Sequence, residues 1–260
     1  MKDDVLKEKL RTVGYCKFDK SISEEWLLKI NGVLPQIFSL HESIRRTNGN
    51  GISSNGLALN ALVGNETLFA FLQHLIDIEM IDWIESNYFN GKCILNSFTA
   101  LSNIPGEDKV FHKNIHRDIR GFSAEVPIML NMLVMLDDFT VENGATLLLP
   151  NSHLEDCKPS DDVFSKKAIH ATGSAGDIII WNSNLFHASG TNTTNNVRRA
   201  LPITFSLPYY KQLLDYPRAI GYEKYDSFND NIRRILGYDA RVPESVSDWY
   251  SPLGKLLYKN

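Results

Sequence analysis

The feature that most limits the folds open to this chain is a change of hydrophobic rhythm at Cys93. Before it, apolar residues recur at helical spacing. Ser23-Glu24-Glu25-Trp26 reads as a capping serine followed by an acidic first turn, and Leu27, Leu28, Ile30, Leu34 and Ile37 continue it. A loop rich in Asn, Gly and Ser (48–56) separates this from a second helical stretch over 68–83, with Phe69, Leu72, Leu75, Ile76 and Met80 on one side. From Cys93 the chain breaks into short apolar runs bounded by turn residues, the pattern of antiparallel strands. Strands are expected at Cys93–Leu101, Val126–Leu136, Ala145–Leu149, Asp177–Trp181, Leu185–Ala188 and Arg199–Leu207, with Asn143-Gly144 as a hairpin signal. Beyond Pro208 the sequence turns Tyr-rich and helical again. Short strands between two helical ends predict a mainly β fold, a sandwich or barrel backed by helices. With no clean linker, a single domain over 1–260 is expected: helical to about 92, a β core over 93–207, and a C-terminal cap over 208–260.

Composition narrows the partners. Among 260 residues, 27 basic and 31 acidic side chains leave a net charge of -4 with no run of like charges, which argues against nucleic acid as a partner. The most apolar run, Val126 to Leu136, is far short of the ~20 residues that span a membrane. Met1-Lys2-Asp3-Asp4-Val5-Leu6 lacks the apolar core of a secretory signal. Cys16, Cys93 and Cys157 are odd in number and widely separated, which suits isolated thiols in the reducing cytoplasm.

Chemistry enters through two of the seven histidines. His116 and Asp118 stand two apart in Asn114-Ile115-His116-Arg117-Asp118, so an extended chain presents both on one side. Imidazole nitrogen plus carboxylate oxygen is a chelating pair, and one more histidine completes the two-His, one-carboxylate triad of non-haem Fe(II) oxygenases. Chance alone supplies such a pair in about every second chain of this composition, so context has to decide. His187 follows a Gly176-Asp177 turn and the apolar run Ile178-Ile179-Ile180-Trp181, and Arg198 comes eleven residues later at the start of another β-like run. A hairpin would bring both to one pocket, where the rigid fork of arginine suits a dicarboxylate such as 2-oxoglutarate. His153 and His170 are rivals for the third ligand, but neither has an arginine at hairpin distance; His112, four residues before His116, could line the pocket mouth but reads rather as surface loop.

In this combination the chain resembles the phytanoyl-CoA dioxygenase family of Fe(II)/2-oxoglutarate oxygenases. Four stretches carry the resemblance in family order over roughly residues 10–207: Gly14-Tyr15 with the helix start at Ser21–Leu27; His116-Arg117-Asp118; Leu136-Asp137-Asp138 through Asn143-Gly144-Ala145 to Leu149-Pro150-Asn151-Ser152-His153; and Gly176-Asp177 through His187-Ala188-Ser189-Gly190-Thr191-Asn192 to Arg198-Arg199. The resemblance implies a double-stranded β-helix, or jelly roll, with His116, Asp118 and His187 holding Fe(II). It implies that Arg198 and Ser189 hold the far carboxylate of 2-oxoglutarate, with Asn131 where relatives often carry Gln beside the cosubstrate. It also implies dioxygen as second cosubstrate, a small-molecule substrate, and hydroxylation of a C–H bond with release of succinate and carbon dioxide. Asn151 replaces the usual Gly of a Pro-Gly-Ser-His turn, and Leu133 stands where many relatives have Trp. Because Asp118 is present, oxidation is favoured over halogenation, which would leave that position to chloride.

Two questions stay open on the residues alone. Strand alternation groups Arg198 with Ala200, Pro202 and Thr204, and Arg199 with bulky Leu201, Ile203 and Phe205; the small neighbours favour Arg198 as the anchor, with Arg199 as the alternative. Asn96 and Thr99 either approach the cosubstrate or are ordinary strand residues. The loops at 48–56 and 103–115 are candidate lids. The rival functions are a jelly-roll metal-binding module without turnover, and a cupin-like isomerase or hydrolase using another metal.

Overall fold

Alternation along the apolar runs builds two facing antiparallel sheets in a computed structural model that describes residues 2–49, 56–107 and 111–250. In chain order, α1 (Lys2–Thr12), β1 (Tyr15–Phe18), α2 (Glu24–Thr47), β2 (Leu57–Ala58), α3 (Glu66–Asp77) and α4 (Met80–Ile84) precede the strand-rich half. There follow β3 (Ile94–Phe98), β4 (Ala100–Asn103), β5 (Met129–Met135), β6 (Thr146–Leu148), α5 (Asp161–Lys167), β7 (Ile169–His170), β8 (Ile178–Asn182), β9 (His187–Ser189) and β10 (Arg198–Ser206). The chain then returns to helix in α6 (Tyr216–Ile220), α7 (Asp230–Leu236) and α8 (Val246–Trp249). The larger sheet runs β1-β8-β5-β10-β4-β2, with β3 also paired to β10, and the smaller runs β7-β6-β9. This is a jelly roll backed by helices.

The central strands β5, β8 and β10 divide their side chains between two cores. Leu130, Met132 and Val134 of β5, Ile178 and Ile180 of β8, and Leu201, Ile203 and Phe205 of β10 pack under the helices, against Ile30 and Leu34 of α2 and Phe71 and Leu72 of α3. The alternate residues Leu133, Met135, Ile179, Trp181 and Ala200 face the smaller sheet and meet Leu148 and Phe139. Asn131 and Arg198 share the inward parity of Leu133 and Ala200, so they point between the sheets. Burying each large apolar side chain contributes roughly 1.5–3 kcal/mol, so this division fixes the strand register firmly.

Several boundaries differ from the sequence reading. The stretch expected as one strand at 93–101 is two, β3 and β4, broken at Thr99. The helix expected over 68–83 ends at Asp77, because Glu79 adopts a left-handed conformation (φ 59°) before α4 begins, and the chain then widens into a π-helical turn at Glu85–Phe89. Ser23 does cap α2, accepting from the Trp26 N–H at 3.5 Å. The helix runs on to Thr47 through Pro35, which forfeits one internal hydrogen bond. Of the candidate lid at 48–56, residues 50–55 lie outside the described residues, as do 108–110 of the segment 103–115.

Candidate metal centre

His116 and His187 are brought together by the backbone before their side chains are considered. The His116 N–H donates to the His187 carbonyl at 3.0 Å, and the His187 N–H returns a bond to the His116 carbonyl at 2.9 Å. This short antiparallel bridge sets the ring centroids 4.3 Å apart. Each imidazole is then oriented by its own chain: Nδ1 of His116 donates to Asn114 O at 2.7 Å, and Nδ1 of His187 to Leu185 O at 3.0 Å. A carbonyl only accepts, so both rings carry a proton on Nδ1, which leaves Nε2 as the nitrogen that can serve a metal.

Asp118 closes the group. Its Oδ1 lies 3.4 Å from His116 Nε2 and its Oδ2 3.5 Å from His187 Nε2. Two ligands bound at right angles ~2.1 Å from one ion are about 3 Å apart, so small adjustments bring all three onto one octahedral face. Among the described residues, this is the His/Cys/Asp/Glu group with metal-ligand spacing, its ligating atoms within 4.8 Å of one another. Burial raises the pKa of the Asp118 carboxyl, but the charges of His187 and His116, the latter 3.4 Å away, outweigh it and hold it at about 2. Burial, with the neighbouring His116, pushes His187 down to about 4 against the pull of Asp118. For His116 burial is overcome by Asp118 and its pKa is raised. The group is thus one carboxylate flanked by imidazoles, a donor set that fits a divalent iron. Side-chain exposure rises from 8% at His187 through 18% at His116 to 34% at Asp118, so the centre opens toward solvent on the Asp118 side.

Arg198 lies on the inner face and is 1% exposed. Its guanidinium sits over the Phe139 ring at 4.2 Å and donates through Nη2 to Gly144 O at 2.9 Å, while Nε and Nη1 have no partner. Burial lowers its pKa to about 9, against the pull of Asp137, so it remains a cation at neutral pH. A buried cation with two unmade hydrogen bonds is costly unless an anion joins it. Ser189 shares the inward face of β9 with His187, opposite Ala188, which packs on the outer cluster with Phe164.

The structure sorts the remaining predicted residues plainly. Arg199 turns to the other face of β10 and pairs with Asp137, through Nε at 2.9 Å and Nη2 at 2.5 Å. Asn131 points inward, its Oδ1 accepting from Thr204 Oγ1 at 3.0 Å. Asn96 is tied to Ser206 Oγ at 3.3 Å and Lys211 O at 3.1 Å, holding the chain that leaves β10. Thr99 is buried at the β3–β4 break, its N–H bonded to Pro202 O at 2.8 Å. His153 bonds Arg11 O at 3.0 Å, beside the Gly14 turn, and His170 lies exposed on β7; neither joins the triad. Arg117 lies over the Phe186 ring at 4.2 Å and donates to Glu155 O and Asp156 O, so it clasps the loop after β6. His112 is buried, not a surface-loop residue.

Two contributors escaped the sequence reading. Asn103, opposite Arg198 in the β4–β10 register, donates through Nδ2 to Gly144 O at 3.1 Å and Gly190 O at 2.9 Å. Gly144, read only as a turn residue, has φ 77°, and a Cβ there would lie 2.4 Å from Asn103 Nδ2 and Gly190 O. Asn143-Gly144 closes a turn between strands of different sheets, not the expected hairpin, and the Gly144 carbonyl holds the arginine in place.

Comparison with known proteins bears on the same residues. A model of the phytanoyl-CoA dioxygenase (PhyH) family matches residues 73–200, a span containing all three triad residues and Arg198. An uncharacterized protein of Mycobacterium tuberculosis is 30% identical over 195 residues, covering 74% of this chain and 70% of that one. Dioxygenase trt7 of Aspergillus terreus is 34% identical over 139 residues, 48% of this chain and 46% of its own length. In fold, the chain is similar to the epimerase SnoN from nogalamycin biosynthesis, solved with Fe3+, alpha ketoglutarate and nogalamycin RO, with a TM-score of 0.59 and 17% identity over 81% of this chain and 86% of that one. On these matches the chain belongs to the phytanoyl-CoA dioxygenase family, oxygenases that use Fe(II), 2-oxoglutarate and dioxygen.

Proposed function

We propose that this protein hydroxylates an unactivated C–H bond of a small molecule, acting as one oxygenase unit in the reducing cytoplasm. The observation that carries the reading is a buried, half-unpartnered guanidinium set between the same two sheets as a two-His, one-carboxylate group. His116, Asp118 and His187 would hold Fe(II). Bound there, the iron would supply the redox chemistry by which dioxygen and 2-oxoglutarate oxidise the substrate, with succinate and carbon dioxide released.

The protein's share is binding, orientation and exclusion. Arg198 pairs with the far carboxylate of the cosubstrate, and the Ser189 hydroxyl donates to the same group. Asn131, inward on β5 with its amide nitrogen unpartnered among the described residues, is available to donate to the cosubstrate. Leu133, Leu148 and Trp181 keep the inner wall apolar, which limits water at the reacting centre. The three cysteines are free, and burial pushes the Cys16 thiol up to about 12, so it is inert as a nucleophile and suited to a reducing compartment.

A panel of small molecules screened for substrate-coupled succinate formation tests the reading. Turnover in the wild type that is lost in His116→Ala, Asp118→Ala and His187→Ala supports it. Absence of 2-oxoglutarate consumption across the panel, or full turnover in all three variants, contradicts it. Isotopically labelled dioxygen separates outcomes: label in the product marks hydroxylation, whereas succinate formed with an unlabelled product marks epimerisation or ring closure.

A further inference from the structure

His112 is a buried polar side chain that the reading above leaves without a task. It sits in the short 3-10 turn Phe111–Lys113, which packs against β9, the strand that carries His187 and Ser189. Four residues later His116 joins the same strand by its paired backbone bonds. The imidazole is 7% exposed, and neither Nδ1 nor Nε2 has a hydrogen-bond partner among the described residues. A neutral imidazole offers one donor and one acceptor, and leaving a buried one unmade costs about 1–3 kcal/mol. Such an orphan inside a functional centre marks a place for a ligand atom.

Its surroundings say which ligand. His112 is outside the group with metal-ligand spacing, so it is not a fourth protein ligand in this geometry. The turn that carries it contacts β9 beside His187 and Ser189, and the Arg198 charge, then those of Lys113 and His116, reach the ring. Burial above all lowers its pKa to about 4, so it adds a hydrogen bond without a second buried charge. A carboxylate has about four acceptor positions. Arg198 brings two free nitrogens and Ser189 one hydroxyl, which leaves capacity for another donor.

We propose that His112 is a positioning residue that donates a hydrogen bond to the far carboxylate of 2-oxoglutarate, beside Arg198. The assignment rests on the oxygenase reading and adds a donor that neither the chain pattern nor the family match assigns. It differs from a purely structural role in one respect: its effect depends on the second carboxylate of the ligand.

The test is binding, read without turnover. Wild type, His112→Phe and His112→Gln are loaded anaerobically with Fe(II) and titrated with 2-oxoglutarate, following the visible charge-transfer band. A parallel titration uses 2-oxovalerate, which keeps the chelating 2-oxo acid and lacks the far carboxylate. The phenyl variant should bind 2-oxoglutarate about tenfold or more weakly, the usual worth of a hydrogen bond to a charged group. The amide variant, which retains a donor, should recover most of that loss, Fe(II) affinity should be unchanged, and 2-oxovalerate should bind all three proteins alike. Equal losses for both acids, or no loss for either, overturn the assignment of His112. Failure of the wild type to bind 2-oxoglutarate at all would instead overturn the oxygenase reading on which it rests.

Discussion

Replacing Arg198 with methionine removes a cation that the fold has already desolvated, whereas the same change at Arg199 removes one that the fold has paired. Truncating one partner of a buried charge pair costs ~2–5 kcal/mol, so Arg198→Met should raise the KM for 2-oxoglutarate by roughly a hundredfold. Arg199→Met should leave that KM within about twofold and cost up to ~1 kcal/mol of stability, because its Asp137 pair is partly solvated. Steady-state kinetics with chemical unfolding checks both, and the reverse pattern would exchange their roles. Their inequality was legible in strand alternation, since the residues on either side of each arginine differ in size. The burial of His112 was not, because nothing local distinguishes a histidine in a loop from one folded under a strand. Asp177 has a structural task at this scale. Its carboxylate accepts from Lys17 Nζ, Lys20 N and Ser174 N. Burial opposes ionisation there, but these bonds outweigh it and its pKa is lowered. A lowered carboxyl contributes stability that is complete above its unfolded value, near ~3.9, and is lost as pH falls through the folded one. Asp177→Asn should therefore cost about 1–3 kcal/mol at neutral pH and flatten the loss of stability below pH ~4, measurable by urea unfolding at several pH values.

Among the elements, the turn before β6 does the most to connect backbone to chemistry. Its Gly144 carbonyl receives both Arg198 and Asn103, and no side chain fits at that residue. Gly144→Ala should destabilise the protein by ~2 kcal/mol or more, since it combines a positive φ with two close contacts, and it should weaken 2-oxoglutarate binding by displacing the carbonyl. An unchanged melting temperature together with unchanged KM would contradict this. The long strands were legible because they are apolar runs bounded by turn residues, as strands covered on both faces must be. β1, β2 and β7 were not, being two to four residues long and carried by pairing with neighbours rather than by their own pattern. The break between α3 and α4 was hidden for a different reason: the left-handed residue is Glu79, where a sequence reader looks for glycine or asparagine. Glu79→Gly should accordingly be neutral or stabilising by up to ~1 kcal/mol in thermal unfolding, unlike glycine elsewhere in a helix.

At the scale of the molecule, ligands drawn from distant parts of the chain meet because two sheets close on each other. His116 and Asp118 come from the segment before β5, His187 from the smaller sheet and Arg198 from the larger, while the helices cover the opposite face of the larger sheet. The C-terminal helices are fastened to that body by Glu85, which is buried and binds Lys92 Nζ at 2.9 Å, Cys93 N at 3.1 Å and the Arg234 guanidinium. A centre assembled from separate elements couples its ligands to global stability. Fe(II) and then 2-oxoglutarate, each at a hundred times its dissociation constant, should each add ~2.7 kcal/mol to the stability of the fold, a rise of several degrees in melting temperature. The measurement that bears most directly on the central claim is an anaerobic titration of the apoprotein, first with Fe(II) and then with 2-oxoglutarate. One equivalent of each should bind, with a visible charge-transfer band that is absent in Asp118→Ala and His187→Ala. Binding of both that survives intact in those two variants, or no band in the wild type, would contradict it.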